Sequence, residues 1–209
     1  MDVPVPSIKD VVDLADQIGA IKAFKSKLVR QPDSALDQLS TILDEVSKIF
    51  IAMNSEITKY LSLWFDASDQ ESVQAERSLL LLMEEGQMKI EMTETRRRCA
   101  KISNMYDKYL NPWLRRILNS DEQELVESVF KELRGFDSKM VDAIEELAKW
   151  LTDNAAETLS LVDSGQYQEA NEFIKKKRKE IQPARILISE RIHDLLRLQA
   201  EFISVSGAL

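Results

Sequence analysis

Residues 36 to 64 read LDQLSTILDEVSKIFIAMNSEITKYLSLW. Leu36, Leu39, Leu43, Val46, Phe50, Met53, Ile57, Tyr60 and Trp64 recur in alternating steps of three and four. Side chains at that spacing share one face of a helix, and a 3.5-residue repeat is the signature of a seam against neighbouring helices. The pattern therefore predicts one long helix with a coiled-coil-like seam from Leu36 to Trp64. Ile42, Ile49 and Leu61 lie beside the seam and widen the apolar face, so more than one neighbour is expected. Asp33 and Ser34 after Pro32 supply side-chain oxygens for the free N–H groups of its first turn.

The same grammar extends in both directions. Ser7 after Pro6 opens a helix over about 8–29, with Val11, Leu14, Ile18, Ile21 and Leu28 inward. Ser68-Asp69-Gln70-Glu71 opens a third, expected to run from near 69 to about 110. Gly86 within it is a weak point, because Gly costs about 1 kcal/mol against Ala in a helix interior. Ser120-Asp121-Glu122-Gln123 opens a fourth over about 121–163, carrying Val126, Val129, Leu133, Phe136, Met140, Ile144, Leu147 and Leu151. A break is expected at Asp153-Asn154. Asp163-Ser164-Gly165 is a stop, since Gly tolerates the left-handed conformation that ends helices. A short peripheral helix follows over about 166–181, and Pro183 restricts Gln182 and separates it from a last helix over about 184–203. Residues 1–6 and 204–209 are expected to fray.

The chain is thus expected to be all-α: one domain over 1–209, an elongated antiparallel bundle of about six helices, three of them long, with coiled-coil-like heptad seams. Composition agrees. Five Gly and five Pro in 209 residues leave few turns, and 31% charged residues against 44% hydrophobic ones describe a solvated surface around a core. No strand-like alternation competes.

Function is written less clearly. A formal net charge of −8 lowers the expectation of nucleic-acid binding, which needs a cationic face to displace counterions. Cys99 is the only cysteine, so no intrachain disulfide forms. Residues 1–10 hold no apolar run of the secretory kind, and the longest apolar run, Leu79 to Met83, is far short of the ~20 residues a membrane span requires. The cytoplasm is the expected location. No Gly-x-Ser-x-Gly elbow or phosphate-binding Gly-rich loop is present. Cys99 falls on an apolar stripe, which suits an inert thiol. No enzyme activity and no cofactor are expected.

Four residue sets could carry chemistry. Met83, Met88, Met92, Tyr106, Tyr109 and Trp113 could line a ligand pocket on the third helix, because Met packs adaptably. Glu84, Glu85, Glu91 and Glu94 could hold a hard cation, or form a solvated face with Lys89 and Arg96–Arg98. Lys175, Lys176, Lys177, Arg178 and Lys179 form the denser of two basic clusters and could meet an acidic partner or anionic lipid; Arg96, Arg97, Arg98 and Lys101 form the other. Glu190 and His193 have Glu-x-x-His spacing, but one His in the whole chain cannot supply the paired motif of a di-iron bundle. Gly165-Gln166-Tyr167-Gln168-Glu169-Ala170 resembles the helix start of a tetratricopeptide unit over six residues, without the repeat period that family requires.

The leading expectation is a non-enzymatic interaction or scaffold bundle with a protein partner, most simply a second copy in a homodimer. Ile42, Ile49 and Ile186 would offer the surface. A ligand- or metal-responsive regulatory bundle is the alternative, and peripheral membrane contact through 175–179 the weaker one.

Overall fold

A computed structural model of the chain describes residues 33–86 and 136–206, together with Thr93, Glu94, Arg96–Arg98, Ala100, Lys101, Asn104, Lys108, Pro112, Arg115 and Arg116. Among them there is no strand. Four helices have defined bounds: α1 (Asp33–Ser62), α2 (Gln70–Glu85), α3 (Phe136–Asp163) and α4 (Tyr167–Ser206). The helix expected over 8–29 and the segment 117–135 lie outside the described residues.

In α1 the apolar residues spaced by threes and fours from Leu43 to Tyr60 are buried. Leu43, Val46, Phe50, Met53, Ile57 and Tyr60 are fully enclosed. Ile49 is enclosed too, so it faces this chain's own core and offers nothing to a partner. That buried run stops short of Trp64. The helix ends at Ser62, and in the extended linker the inward positions are Leu63 and Phe65, while Trp64 is 63% exposed. The switch from helical to extended geometry changes the period from about 3.6 to 2, and that turns Trp64 outward.

The linker is closed by local hydrogen bonds. The Asp66 carboxylate accepts from both the Ser68 N–H (2.9 Å) and the Ser68 hydroxyl (2.7 Å). Asp69, not Ser68, caps α2 by accepting from the Ser72 N–H at 3.0 Å. Helix α2 does not run on to 110. Gly86 takes φ +89° and donates its N–H to the Leu82 carbonyl, the left-handed closure that terminates a helix. The expected weak point is a stop.

Helix α3 runs unbroken through Asp153-Asn154. Asn154 is buried, and its amide donates to the Trp150 carbonyl one turn back, so a residue expected to break the helix is absorbed into it. The stop at Gly165 is as expected. Gly165 (φ +74°) donates to the Val162 carbonyl and Gln166 to that of Leu161, both at 2.9 Å, a Schellman closure.

Helix α4 is the largest departure from the sequence reading. It is one helix of 40 residues with Pro183 inside it, not a short peripheral helix followed by another. Ala170, Ile174, Ile181, Ala184, Ile188 and Leu195 carry one buried stripe straight across the proline. Burial along that stripe, at about 25 cal/mol per Å² of apolar surface, outweighs the single backbone bond that Pro removes.

Helix α4 packs most extensively on α1, and α2 on α3. The α1–α4 pairing is antiparallel: Thr58 meets Arg185, Leu61 meets Arg178, and Phe65 meets Asn171. Arg77 of α2 grips Asp163 at the end of α3 through two guanidinium nitrogens, at 2.6 and 3.2 Å. Tyr60 joins α1 to α3. Its ring meets Trp150 edge-on with centroids 5.8 Å apart, and its hydroxyl lies 3.1 Å from that of Thr158. No helix among the described residues is long and apolar enough to cross a membrane.

Candidate functional site

Two places on the surface are built from several elements. The first is the corner between α1 and α2. Residues 63–66 run extended against the start of α4, and Asn171 fixes them there. Its side-chain oxygen accepts from the Phe65 N–H (2.9 Å), and its amide donates to the Phe65 carbonyl (2.7 Å). An Asn side chain is in effect a peptide group, so it pairs with both halves of a backbone unit that has no secondary-structure partner. Arg178 meanwhile donates to the Leu61 carbonyl near the end of α1, where no intrahelical donor remains. Anchored at both sides, the linker presents Trp64 beside Tyr167, Gln168, Glu172 and Lys175 around a shallow groove of about 560 Å³.

The second place is a charged cleft of about 840 Å³ between α1 and the described residues 94–108. Glu45 forms its floor. Its carboxylate is buried and accepts from Arg98 (2.5 Å) and Lys101 (2.9 Å). Burial alone would raise the Glu45 pKa, but the hydrogen bonds from Lys101 and Arg98, with their charges, outweigh it and hold the carboxyl below its ordinary range. Glu94 accepts two bonds from Arg97, at 2.8 and 2.9 Å, and a longer contact from Arg98 at 3.3 Å. The bonds from Arg97 hold the Glu94 carboxyl below its ordinary range. Lys48 pairs with Asp44, one turn back on α1, and Lys108 lines the far end.

The four expected residue sets fare unequally. Met83 is buried among the core residues and lines neither cleft nor groove. Met88, Met92, Tyr106, Tyr109 and Trp113 lie outside the described residues, as does Glu91. Glu84 and Glu85 are exposed near the end of α2, while Glu94 is engaged by arginines. No group of three His, Cys, Asp or Glu able to hold a metal occurs among the described residues. The run 175–179 does not act as one face: Lys177 pairs with Glu180 at 2.9 Å and lies over the Phe173 ring, Arg178 is spent on Leu61, and Lys175 turns toward Trp64. The Glu190–His193 pair stands on the surface.

Glu45, Lys48 and Asn171 carry these sites, and none of the three belongs to the residue sets expected from the sequence. Glu45 had a signal. Ile49, apolar but off the seam, marks a second inward face, and Glu45 lies one turn before it on that face. Asn171 had none, because its partner is 106 positions away.

The fold defines an all-helical protein whose polar sites lie where helices meet. No known protein family, no curated protein and no solved structure matches the chain.

Proposed function

We propose that the chain is a non-enzymatic interaction scaffold that associates with a second copy of itself, the exposed Trp64 corner being the contact. In this reading all 209 residues form one elongated antiparallel bundle of about six helices with coiled-coil-like seams, working in the cytoplasm. The observation that carries it is Trp64, a large apolar side chain held outward by a linker that is itself tied down. Tryptophan dominates many interfaces because it offers a large contact area at little entropic cost. A rigid mount keeps that cost low. Ile51 and Ile186 are further large apolar side chains exposed on α1 and α4.

Sedimentation velocity at low and high micromolar concentration tests it. Self-association that weakens at least tenfold in Trp64→Ala, with helix content unchanged, is the expected result. A strict monomer at high micromolar concentration, or a dimer indifferent to that substitution, overturns it.

A further inference from the structure

The cleft over Glu45 collects positive charge on a chain that is negative overall. Lys48, Arg97, Arg98, Lys101 and Lys108 line it. The carboxylates that meet them are Glu45 and Glu94 in the lining, and Asp44 beside Lys48. Among the described residues, five cations against three carboxylates leave two positive charges in this place, while the chain as a whole carries −8. Such an arrangement focuses the local field toward anions.

The donors are also partly unspent. An ammonium has three N–H groups, and Lys101 gives one to Glu45. Arg97 gives Nε and one Nη to Glu94, and its other Nη group is directed to neither carboxylate oxygen. Lys108 makes no ion pair among the described residues. The internal carboxylates hold the cationic heads in position. Preorganised heads of this kind lose less entropy when an anion arrives.

We infer that this cleft binds a small ligand carrying clustered phosphate groups. Several cations contributed from two elements around one concavity match a multivalent anion better than a single carboxylate. The volume of about 840 Å³ falls in the range of small-molecule sites.

Calorimetric titration of the full chain with inorganic tripolyphosphate at 50 mM NaCl tests the inference. Micromolar binding is expected, weakening at least tenfold at 300 mM NaCl, because exposed charge pairs are screened. The double charge reversal Lys48→Glu with Lys108→Glu should weaken binding at least tenfold. Both side chains are exposed, and unchanged helical circular dichroism would show the fold intact. The reversal Lys176→Glu with Lys179→Glu, in the other basic run and away from both the cleft and the Trp64 groove, should leave binding within twofold. Vesicles containing a phosphoinositide form a second arm. Capture displaced by tripolyphosphate would identify a lipid headgroup as the source of the phosphates, and capture no greater than by neutral vesicles a soluble compound. Absence of tripolyphosphate binding overturns the inference. So does binding that survives the reversal at Lys48 and Lys108, or that is lost only on reversal at Lys176 and Lys179.

Discussion

Asn171 of α4 holds Phe65 by both backbone groups, accepting from its N–H at 2.9 Å and donating to its carbonyl at 2.7 Å. Phe65 is buried, so water cannot replace either bond. Asn171→Ala removes both partners at once and should cost about 2–6 kcal/mol, since each buried backbone group left unpaired costs about 1–3 kcal/mol. Asn171→Asp keeps an acceptor for the N–H but faces the carbonyl with a carboxylate oxygen. It should be destabilised at neutral pH and recover part of the loss in acid, where a protonated carboxyl can donate. Urea unfolding of the three proteins at pH 7 and pH 4 measures this. An Asn171→Ala protein as stable as the parent would show that the linker is held by packing alone.

Tyr60 is enclosed among α1, α3 and α4. Burial of its phenol, helped by the negative charge of Glu180 and opposed by the bond to Thr158, pushes its pKa up to about 12 from 10.0. A folded pKa above the unfolded one means that the folded state holds the proton longer. The corresponding stability is complete below pH 10 and is lost as pH rises toward 12. Absorbance titration at 295 nm should show a phenol, lost in Tyr60→Phe, that ionises near pH 12 and in step with unfolding. Tyr60→Phe should cost about 1 kcal/mol at pH 7, where Thr158 keeps its bond to the Asn154 carbonyl, and should flatten the alkaline decline. An equally steep decline in Tyr60→Phe would assign it to other groups.

Glu45 works in the opposite direction. Its folded pKa lies below the ordinary value of 4.5, since Lys101 and Arg98 together outweigh the effect of burial. Its contribution is present above pH 4.5 and is lost as pH falls through the lower folded value. Glu45→Gln should lower stability at pH 7 by about 2 kcal/mol, the scale of a charge-assisted bond. The same substitution should make acid unfolding less steep below pH 4.5. Parallel acid-unfolding curves for the two proteins would mean that Glu45 stays ionised in neither state differently from the other.

The readable parts of this fold were those whose cause is local. Leu43 to Tyr60 declare their face by spacing alone, and Gly165 declares its turn by the one conformation glycine tolerates better than other residues. Failures came where a distant contact overrode a local preference. Trp64 continues the heptad spacing in the sequence, yet the helix ends two residues earlier, where Arg178 from α4 takes the Leu61 carbonyl. Asn154 looks like a breaker, and a bond one turn back makes it a helix residue. The clefts were harder still. Lys101 and Arg98 read as one half of a basic cluster, and nothing in their neighbourhood announces Glu45, 53 positions from Arg98.

Pro183 isolates the balance between local preference and packing in one residue. It has no N–H, so the Lys179 carbonyl one turn earlier loses its helical donor, and the ring crowds that carbonyl. In an isolated helix this costs about 3 kcal/mol. Here Ile181 and Ala184 on either side are fully buried, and Lys179 is exposed. The core therefore holds α4 together against a standing local cost. Pro183→Ala restores the donor and relieves the crowding while keeping a small side chain, and it should raise stability by about 1 kcal/mol. Amide hydrogen exchange at residues 179–187 should slow in the same protein. If Pro183→Ala lowered stability instead, the bend that proline imposes would be part of how α4 fits α1, and the buried stripe from Ala170 to Leu195 would depend on it.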